Sequence, residues 1–301
     1  MRIVVALGGN ALLQRGEPPD AEVQEHHVVA AVRALAPLAR QHELVVTHGN
    51  GPQVGLLAIE SADDPALSRP YPLDVLGAQT QGMIGYWLVQ ALSRAAPAQP
   101  AACLLCRTVV RADDPAFAAP SKFVGPVYDQ AAATRLAARH GWAVRPDGTG
   151  WRRVVASPEP AEIVELGLIR ELVDCGTTVV CAGGGGVPVT RTLAGQLRGV
   201  EAVVDKDLTA ALLAEAVGAD ALLILTDVPA VIDGYGTAAA RPLHRVTPDE
   251  LRRLALPAGS MGPKAEAACR FAEATGHPAV IGDIDDAALL LAGGTGTTVK
   301  P

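Results

Sequence analysis

Short apolar runs alternate with longer stretches rich in alanine and leucine along most of the chain. The runs lack the strict apolar and polar alternation of a strand with one face in water, so they are typical of strands buried on both faces of a parallel sheet. Strands that alternate with helices predict a three-layer α/β/α sandwich with a mainly parallel central sheet and right-handed crossovers. The predicted strands are Ile3–Ala6, Leu44–Thr47, Leu104–Val110, Thr178–Cys181, Ala221–Leu225 and Ala279–Ile281.

One helix start is marked by several signals at once. Thr247 stands at the cap position, Pro248 follows in the first turn, and Glu250 occupies the capping-box position. A threonine cap with a glutamate three residues later satisfies two backbone donors reciprocally, and proline is favoured at the first helical position. These residues predict a helix that continues through Leu251 to Leu254.

The segment from about Arg111 to Pro158 interrupts the alternation, because it is rich in proline, glycine and charged residues. Within it we predict a helix, Asp129–His140, followed by a returning strand in GWRRVVASP. An excursion of this length between core elements is typical of a lid or of a surface ornament. One of the few lysines of the chain, Lys122, lies in this segment, and this favours a lid.

The 301 residues suffice for one large α/β domain or for two lobes. We predict a boundary near Val217-Gly218, between an N-terminal lobe, 1–217, and a smaller C-terminal lobe, 218–301. Hydrophobic residues make up 49% of the chain, so disorder is not expected. With a net charge of −7, the chain has no excess of positive charge that would attract nucleic acid or an anionic membrane, and we expect neither as a partner.

The chain shows no signal-peptide pattern at its start and no run of ~18 apolar residues, so we expect neither a secretory leader nor a membrane span. Five cysteines are an odd count that suits the reducing cytosol, and we expect a cytoplasmic protein. Cys103 and Cys106 have a spacing seen in metal and redox sites. They lie in a predicted buried strand, where residues three apart point to opposite faces, and no second pair of ligands lies nearby. We interpret them as structural cysteines.

Lysine is used sparingly, with four lysines against twenty-one arginines. Lysine is a compact point charge on a flexible stem and can follow a phosphoryl group that moves during a reaction. Three of the lysines lie in unusual surroundings, which suggests chemistry on phosphate. They are Lys122 in the inserted segment, Lys206 between two aspartates, and Lys264 behind a glycine turn. Lys300, one residue from the end, is interpreted as a surface residue without a role.

Three glycine-rich turns follow predicted strands directly. The carboxyl ends of the strands are where ligands bind in an open α/β sheet, and a helix that follows such a turn favours anions at its N-terminus. None of the turns matches the P-loop or the dinucleotide fingerprint. The turns are Gly8-Gly9-Asn10, Gly49-Asn50-Gly51 and Gly183 to Gly186.

Asp205, Lys206 and Asp207 precede a predicted helix, Leu208–Val217, and two interpretations of them are open. In the first, Asp207 caps the helix and Lys206 lies in solvent. In the second, Asp207 holds two lysines that neutralise a transferring phosphoryl group. Phosphoryl transfer depends mostly on positioning and charge stabilisation, and lysines with backbone N–H groups supply both.

These motifs together resemble the amino acid kinase family, and within it the carbamate kinases. The resemblance runs nearly from end to end of the chain. It implies a cytosolic homodimer that moves phosphate between ATP and carbamate, mainly from carbamoyl phosphate and ADP toward ATP, with magnesium held mainly through the nucleotide phosphates. The motifs that carry the resemblance are VVALGGNAL, VVTHGNGPQVG, AQTQGMIGYWL, GWRRVVASP, GGGGVPV, GVEAVVDKDL, ADALLILTDV, GSMGPK and a closing GTTV.

The resemblance also implies a role for each matching residue. Catalytic roles fall to Lys122, Lys206, Asp207 and Lys264. The carbamate or carbamoyl group and the phosphate in transfer would be bound by Gly8, Gly9, Asn10, Gly49, Asn50 and Gly51. The nucleotide would lie in the C-terminal lobe beside Thr226, Asp227, Tyr235 and Met261, and no protein metal ligands are implied. Phe123 and Thr149, both in the inserted segment, depart from the family pattern.

Other residues are interpreted as structural. His48 ends a strand beside Gly49, but carbamate is already an anion and needs no base, so a structural or supporting role is expected. Met83, Tyr86 and Trp87 have helical spacing and are expected in the core or in dimer packing.

Three alternative functions remain. One is a family member with another small acid acceptor, and the second is a non-catalytic nucleotide or amino-acid sensor of the same fold. Retention of Lys206, Asp207 and Lys264 argues against the sensor. The third is a dinucleotide-binding oxidoreductase, which lacks its required glycine fingerprint here.

Overall fold

The computed structural model describes residues 1–14, 16–254, 256–257 and 259–301, with the side chain of residue 10 excluded. The strands are β1 (Arg2–Leu7), β2 (Glu43–His48), β3 (Ala101–Cys103), β4 (Arg107–Val110), β5 (Lys122–Tyr128), β6 (Ala143–Asp147), β7 (Gly150–Val155), β8 (Pro160–Ile163), β9 (Thr178–Val180), β10 (Val187–Arg191), β11 (Leu197–Gly199), β12 (Ala221–Thr226), β13 (Ile232–Asp233), β14 (Arg241–Pro242), β15 (Arg245–Val246), β16 (Ala279–Asp283) and β17 (Thr297–Val299). The helices are α1 (Ala21–Gln41), α2 (Gly51–Asp63), α3 (Leu73–Ala95), α4 (Gln130–His140), α5 (Leu166–Asp174), α6 (Lys206–Ala216), α7 (Pro248–Arg252), α8 (Met261–Thr275) and α9 (Ala287–Leu291).

The central sheet has eight strands in the order β15, β17, β16, β12, β1, β2, β9 and β3. Its neighbours are parallel except for the pair β16 and β17. The α/β architecture with a mainly parallel sheet is therefore confirmed. The predicted lobe boundary near Val217-Gly218 falls in the connection from α6 to β12, and the same sheet includes strands from both sides of it.

The side chains of β1 explain why the strands lack alternation. Val4 and Ala6 belong to a core cluster with residues of α5, α6 and α8, such as Leu213. Ile3 and Val5 belong to a second cluster with residues of α1, α3 and α9. Successive side chains of a strand point to opposite faces, so a strand covered by helices on both faces is apolar throughout.

The predicted strand Leu104–Val110 is wrong as a single element. β3 ends at Cys103 in the central sheet, and β4 begins at Arg107 in a second sheet of order β11, β10, β4 and β8. The side-chain amide of Gln81, on α3, accepts from the Cys106 backbone N–H at 2.9 Å and donates to the Cys106 carbonyl at 3.0 Å. A buried side chain thus takes over the backbone groups that a continuous strand would use. All five cysteines are free thiols.

Residues 122–155, called the inserted subdomain here, form a sheet of their own in the order β5, β7 and β6, with α4 between β5 and β6. The predicted helix and returning strand are confirmed as α4 and β7. Asp129 caps α4 by accepting from the Ala132 N–H at 2.7 Å, and Gly141 ends it with a φ of 69°. The ends of the predicted 111–158 segment fall outside this sheet.

The predicted start of α7 is confirmed, because Thr247 and Glu250 form a complete capping box. Of the side chains predicted for core or dimer packing, Met83 and Trp87 pack against the core, whereas Tyr86 is 59% exposed. In the part of the chain that is described, no helix has both the length and the apolar character that a membrane crossing needs.

Candidate active site

The first two glycine turns meet at the carboxyl edge of the central sheet, because β1 and β2 are parallel neighbours. A Cβ atom on Gly49 would lie 3.1 Å from both Cα and N of Gly9 and 3.5 Å from Cδ of Lys206. A Cβ atom on Gly8 would lie 3.0 Å from the Leu225 carbonyl oxygen of β12. Glycine therefore permits the close approach of backbone to backbone here, and the aliphatic stem of Lys206 lies beside Gly49.

The backbone hydrogen bonds of these turns limit how they contact a ligand. The Gly8 N–H donates to Leu225 O at 2.9 Å and the Gly49 N–H donates to Leu7 O at 3.1 Å, so both are used by the protein. Gly51 is the first residue of α2, and the first N–H groups of a helix have no acceptor within it. The N-terminus of α2 is accordingly the element of these turns that is suited to an anion.

The side chain of Asn50 faces the neighbouring elements. Its Nδ2 donates to Thr80 Oγ1 at 2.9 Å, and the Thr80 hydroxyl donates to Gly77 O at 2.8 Å. A Cβ atom on Gly184 would lie 2.2 Å from the same Nδ2 atom, so Asn50 joins the second turn to the third. The prediction for Asn10 concerns its side chain, which lies outside the described part of the structure.

The third turn packs against His48. Ala182 has a φ of 51°, and Gly184, Gly185 and Gly186 also have positive φ values. A Cβ atom on Gly183 would lie 2.2 Å from Nε2 of His48, whose Nδ1 lies 3.0 Å from the Gly49 carbonyl oxygen. Burial lowers the pKa of His48 to about 4. The imidazole is therefore neutral near pH 7 and supports the turns, as the sequence suggested.

Lys206 and Lys264 converge on one carboxylate. Lys206 is the first residue of α6 and its Nζ donates to Oδ1 of Asp207. Lys264 lies in the first turn of α8 and its Nζ donates to Oδ2 of the same carboxylate at 3.3 Å. The interpretation in which Asp207 holds two lysines is the one that the geometry supports, and the interpretation with Lys206 in solvent is wrong.

The charges of this cluster are shifted by burial and by each other. Burial alone would raise the pKa of Asp207, but Lys206 and Lys264 outweigh it and hold that pKa well below its ordinary value. Burial lowers the pKa of Lys206, and Lys264 lowers it further, against the opposing effect of Asp207. A further anion between the two ammonium groups would relieve their repulsion.

Asp205 has a role that the sequence analysis missed. It is the N-cap of α6, and its Oδ1 accepts from the N–H groups of Asp207 at 2.9 Å and Leu208 at 3.3 Å. The interpretation in which Asp207 caps the helix is therefore wrong. The other oxygen of Asp205, Oδ2, accepts from Nζ of Lys122, the first residue of β5. The only local signal was the position of an aspartate just before a helix.

The four residues predicted around the nucleotide lie in the second half of the chain, on different elements. Thr226 ends β12, and its hydroxyl donates to Oδ1 of Asp227 at 3.0 Å. Met261 begins α8, the helix of Lys264, and packs against the core. Tyr235 is 77% exposed in the connection between β13 and β14.

Among the described residues, no group of three or more His, Cys, Asp or Glu side chains is arranged to hold a metal ion. The two carboxylates nearest the lysines, Asp205 and Asp207, are both engaged by ammonium groups. Three lysines, two aspartates and a helix N-terminus at the carboxyl edge of a parallel sheet are suited to a phosphoryl group that is being transferred.

Comparison with known proteins agrees with this class of site. The model of the amino acid kinase family matches residues 1–283, and the chain belongs to that family. The chain is 51% identical over 304 residues to a carbamate kinase of Rhizobium meliloti, covering 100% of this chain and 93% of the relative. It is 50% identical to a carbamate kinase of Escherichia coli K12, with 99% of both chains covered.

Solved structures give the same picture. A carbamate kinase from Giardia lamblia bound to AMP-PNP superimposes with a TM-score of 0.89 at 38% identity, covering 99% of this chain and 98% of that one. The similarity therefore extends over the whole chain, including the inserted subdomain.

Proposed function

We propose that this protein is a carbamate kinase, which transfers a phosphoryl group reversibly between ATP and carbamate and works in cells from carbamoyl phosphate and ADP toward ATP. The observation that carries the proposal is the convergence of Lys122, Lys206 and Lys264 on two aspartates at the carboxyl edge of the sheet. Identity of about one half to carbamate kinases over the whole chain supports this choice of substrate.

In the proposed reaction, the bond between phosphorus and the carbamate oxygen breaks, and a bond forms from phosphorus to a terminal oxygen of ADP. Lys206 and Lys264 neutralise the charge on the oxygens of the transferring group, while Asp207 keeps both ammonium groups in place. The carbamate leaves as an anion, so no proton transfer is required. This agrees with a buried, neutral His48 that serves as a support.

The nucleotide is proposed to bind over the C-terminal lobe, 218–301, with its phosphates toward the N-terminus of α8. Thr226, Asp227, Tyr235 and Met261 are the proposed contacts. Magnesium would enter with the nucleotide phosphates and supply charge neutralisation there, because the nearby carboxylates of Asp205 and Asp207 already bind lysines. Carbamate and carbamoyl phosphate are proposed to bind at the turns of Gly8, Gly9, Asn10, Gly49, Asn50 and Gly51.

The inserted subdomain is proposed to be a mobile lid of the N-terminal lobe, 1–217. Closure would exclude water from a reactive phosphoryl group. Its attachment to the rest of the chain at β5 and β7 carries Lys122 to the site at one end of β5.

A homodimer and a cytoplasmic location are further proposals. The outward face of α3 carries the exposed ring of Tyr86, with Val89 one helical turn further on, and a second copy of the chain is the proposed partner of this face. The mass in solution, measured by light scattering, tests the dimer.

A coupled assay tests the proposed activity. Folded protein with ADP, magnesium and carbamoyl phosphate is expected to form ATP, whereas acetyl phosphate is expected to give little and acetylglutamate to accept no phosphate from ATP. The two controls represent the rival acceptors. Absence of ATP above the uncatalysed background would contradict the proposal, and activity with a control in place of carbamoyl phosphate would support a different acceptor.

A further inference from the structure

The carboxylate of Asp205 bridges two parts of the molecule. One of its oxygens binds backbone N–H groups at the start of α6, and the other binds the ammonium group of Lys122 from the inserted subdomain. The next two residues of α6 are Lys206 and Asp207. A single side chain therefore links the position of the inserted subdomain to the helix end at which the phosphoryl group is proposed to lie.

This contact differs from the other ion pairs between the inserted subdomain and the rest of the chain. Asp205 is buried, with 8% of its side chain exposed. Asp63 lies 2.8 Å from Arg139 and 3.7 Å from His140 of α4, and its side chain is 41% exposed. Glu201 lies 3.6 Å from Arg153 of β7 and is 57% exposed. Exposed pairs contribute little, whereas a buried carboxylate is costly to leave without its partner.

Apolar packing favours the observed position of the inserted subdomain, which is called the closed position here. Val124 and Val155 of the inserted subdomain belong to a core cluster with Val54 of α2 and with Leu73 and Leu76 of α3. Opening would expose these side chains to water and would separate Lys122 from Asp205. The closed arrangement is thus held by two kinds of contact within the protein.

We propose that Asp205 is a positioning residue, a latch that holds Lys122 at the site both before substrate binds and in the complex. This rests on the proposed function. Three lysines and two aspartates leave one positive charge in excess, which attracts a phosphoryl group with about two negative charges. Asp205 cannot follow Lys122, because its other oxygen stays bound to the start of α6.

Asp205→Asn separates this latch from the capping of α6. Asparagine caps a helix about as well as aspartate, so the fold is expected to persist, while the charge that attracts Lys122 is lost. The closed form then becomes less populated. If only the closed form binds substrate productively, the apparent dissociation constant rises in proportion to the loss of that form. A tenfold loss of the closed form is therefore expected to raise KM for carbamoyl phosphate about tenfold, with kcat nearly unchanged.

The decisive measurement is amide hydrogen exchange of β5 and β7 in the ligand-free protein. Asp205→Asn and Lys122→Met are each expected to speed exchange there about tenfold, and the double variant is expected to exchange no faster than either. Asp63→Asn is the matched control, because it removes the charge on α2 that faces Arg139 and His140 of the same subdomain, and Asp63 is far more exposed than Asp205. It is expected to leave the exchange unchanged.

Several outcomes would overturn the latch. They are exchange of Asp205→Asn at the wild-type rate, additive effects in the double variant, an Asp63→Asn effect as large as that of Asp205→Asn, or a fall in kcat without a rise in KM. If only Asp205→Ala has an effect, the residue is a cap and nothing more. The exchange experiment needs no turnover, so its result is independent of the assay of carbamoyl phosphate and ADP.

Discussion

The core and the inserted subdomain deliver lysines to the same helix end by different means. Lys206 and Lys264 lie on α6 and α8, are 10% and 16% exposed, and share the carboxylate of Asp207. Lys122 stands at the edge of a three-stranded sheet, is 32% exposed, and binds Asp205. The first pair is fixed by the packing of two core helices, whereas the position of the third depends on where a small subdomain lies.

The difference follows from the cores behind the two regions. α6 and α8 pack into a cluster that extends across one face of the central sheet. The buried valines Val124 and Val155 of the inserted subdomain instead pack against side chains of α2 and α3. If the inserted subdomain is the lid proposed above, charge needed at every step lies on the core helices and charge needed on closure lies on the lid.

The largest effect is expected from a substitution in the core helices that carry Lys206 and Lys264. Lys264→Arg preserves the charge, but the longer planar guanidinium does not fit beside Asp207 and Lys206, and a misplacement of about 1 Å costs on the order of a hundredfold in rate. The measurement is kcat at saturating ADP and carbamoyl phosphate, with folding checked by circular dichroism. Lys300→Arg is the control and is expected to keep full activity. Equal turnover of the two variants would refute the role of Lys264.

The buried His48 in the core predicts a dependence of stability on pH. The pKa of His48 is about 4 in the folded protein and near 6.5 when unfolded, so the unfolded chain binds a proton first as the pH falls. The contribution of this pKa difference to the free energy of unfolding is complete above pH 6.5 and is lost as the pH falls toward 4. Between pH 7 and 5 it amounts to about 2 kcal/mol of unfolding free energy.

Urea unfolding at pH 7 and pH 5 measures this loss. His48→Asn keeps a donor for the Gly49 carbonyl but does not titrate, so its loss of stability over the same interval is expected to be smaller by about 2 kcal/mol. An equal loss in the wild type and the variant would show that His48 does not couple folding to pH.

A smaller effect is expected from a substitution at the contact between α2 and the inserted subdomain. A Cβ atom on Gly55 of α2 would lie 1.9 Å from Cα of Gly125 in β5, so Gly55→Ala forces the inserted subdomain away. Alanine favours a helix over glycine by about 1 kcal/mol, so α2 itself is not weakened. We expect KM for carbamoyl phosphate to rise about tenfold through loss of the closed form.

The matched control for that variant is Gly82→Ala in α3, where a Cβ atom meets nothing within 4 Å. It is expected to keep the wild-type KM. A normal KM for Gly55→Ala, or the same rise in both variants, would contradict the view that the contact of Gly55 with Gly125 sets the position of the subdomain.

Much of the architecture was determined by local sequence pattern. The apolar runs at 3–6, 44–47 and 221–225 became neighbouring central strands, since residues apolar on both faces are stable only between two layers of helices. The capping box at Thr247 and the cap at Asp129 also act within one turn of chain, so their geometry could be predicted without the fold.

The tertiary structure decided which groups meet. Gln81 interrupts the predicted strand at Cys106, and Gly55 approaches Gly125, through contacts that no local pattern encodes. Lys122 and Asp205 are 83 positions apart, so a lysine near a proline and an aspartate before a helix gave no sign of their pairing. The sequence by itself determined the elements and the kinds of charge at the site, because propensity and patterning act locally. The pairing of Lys122 with Asp205 was decided only by folding, because it depends on a distance across the packed chain.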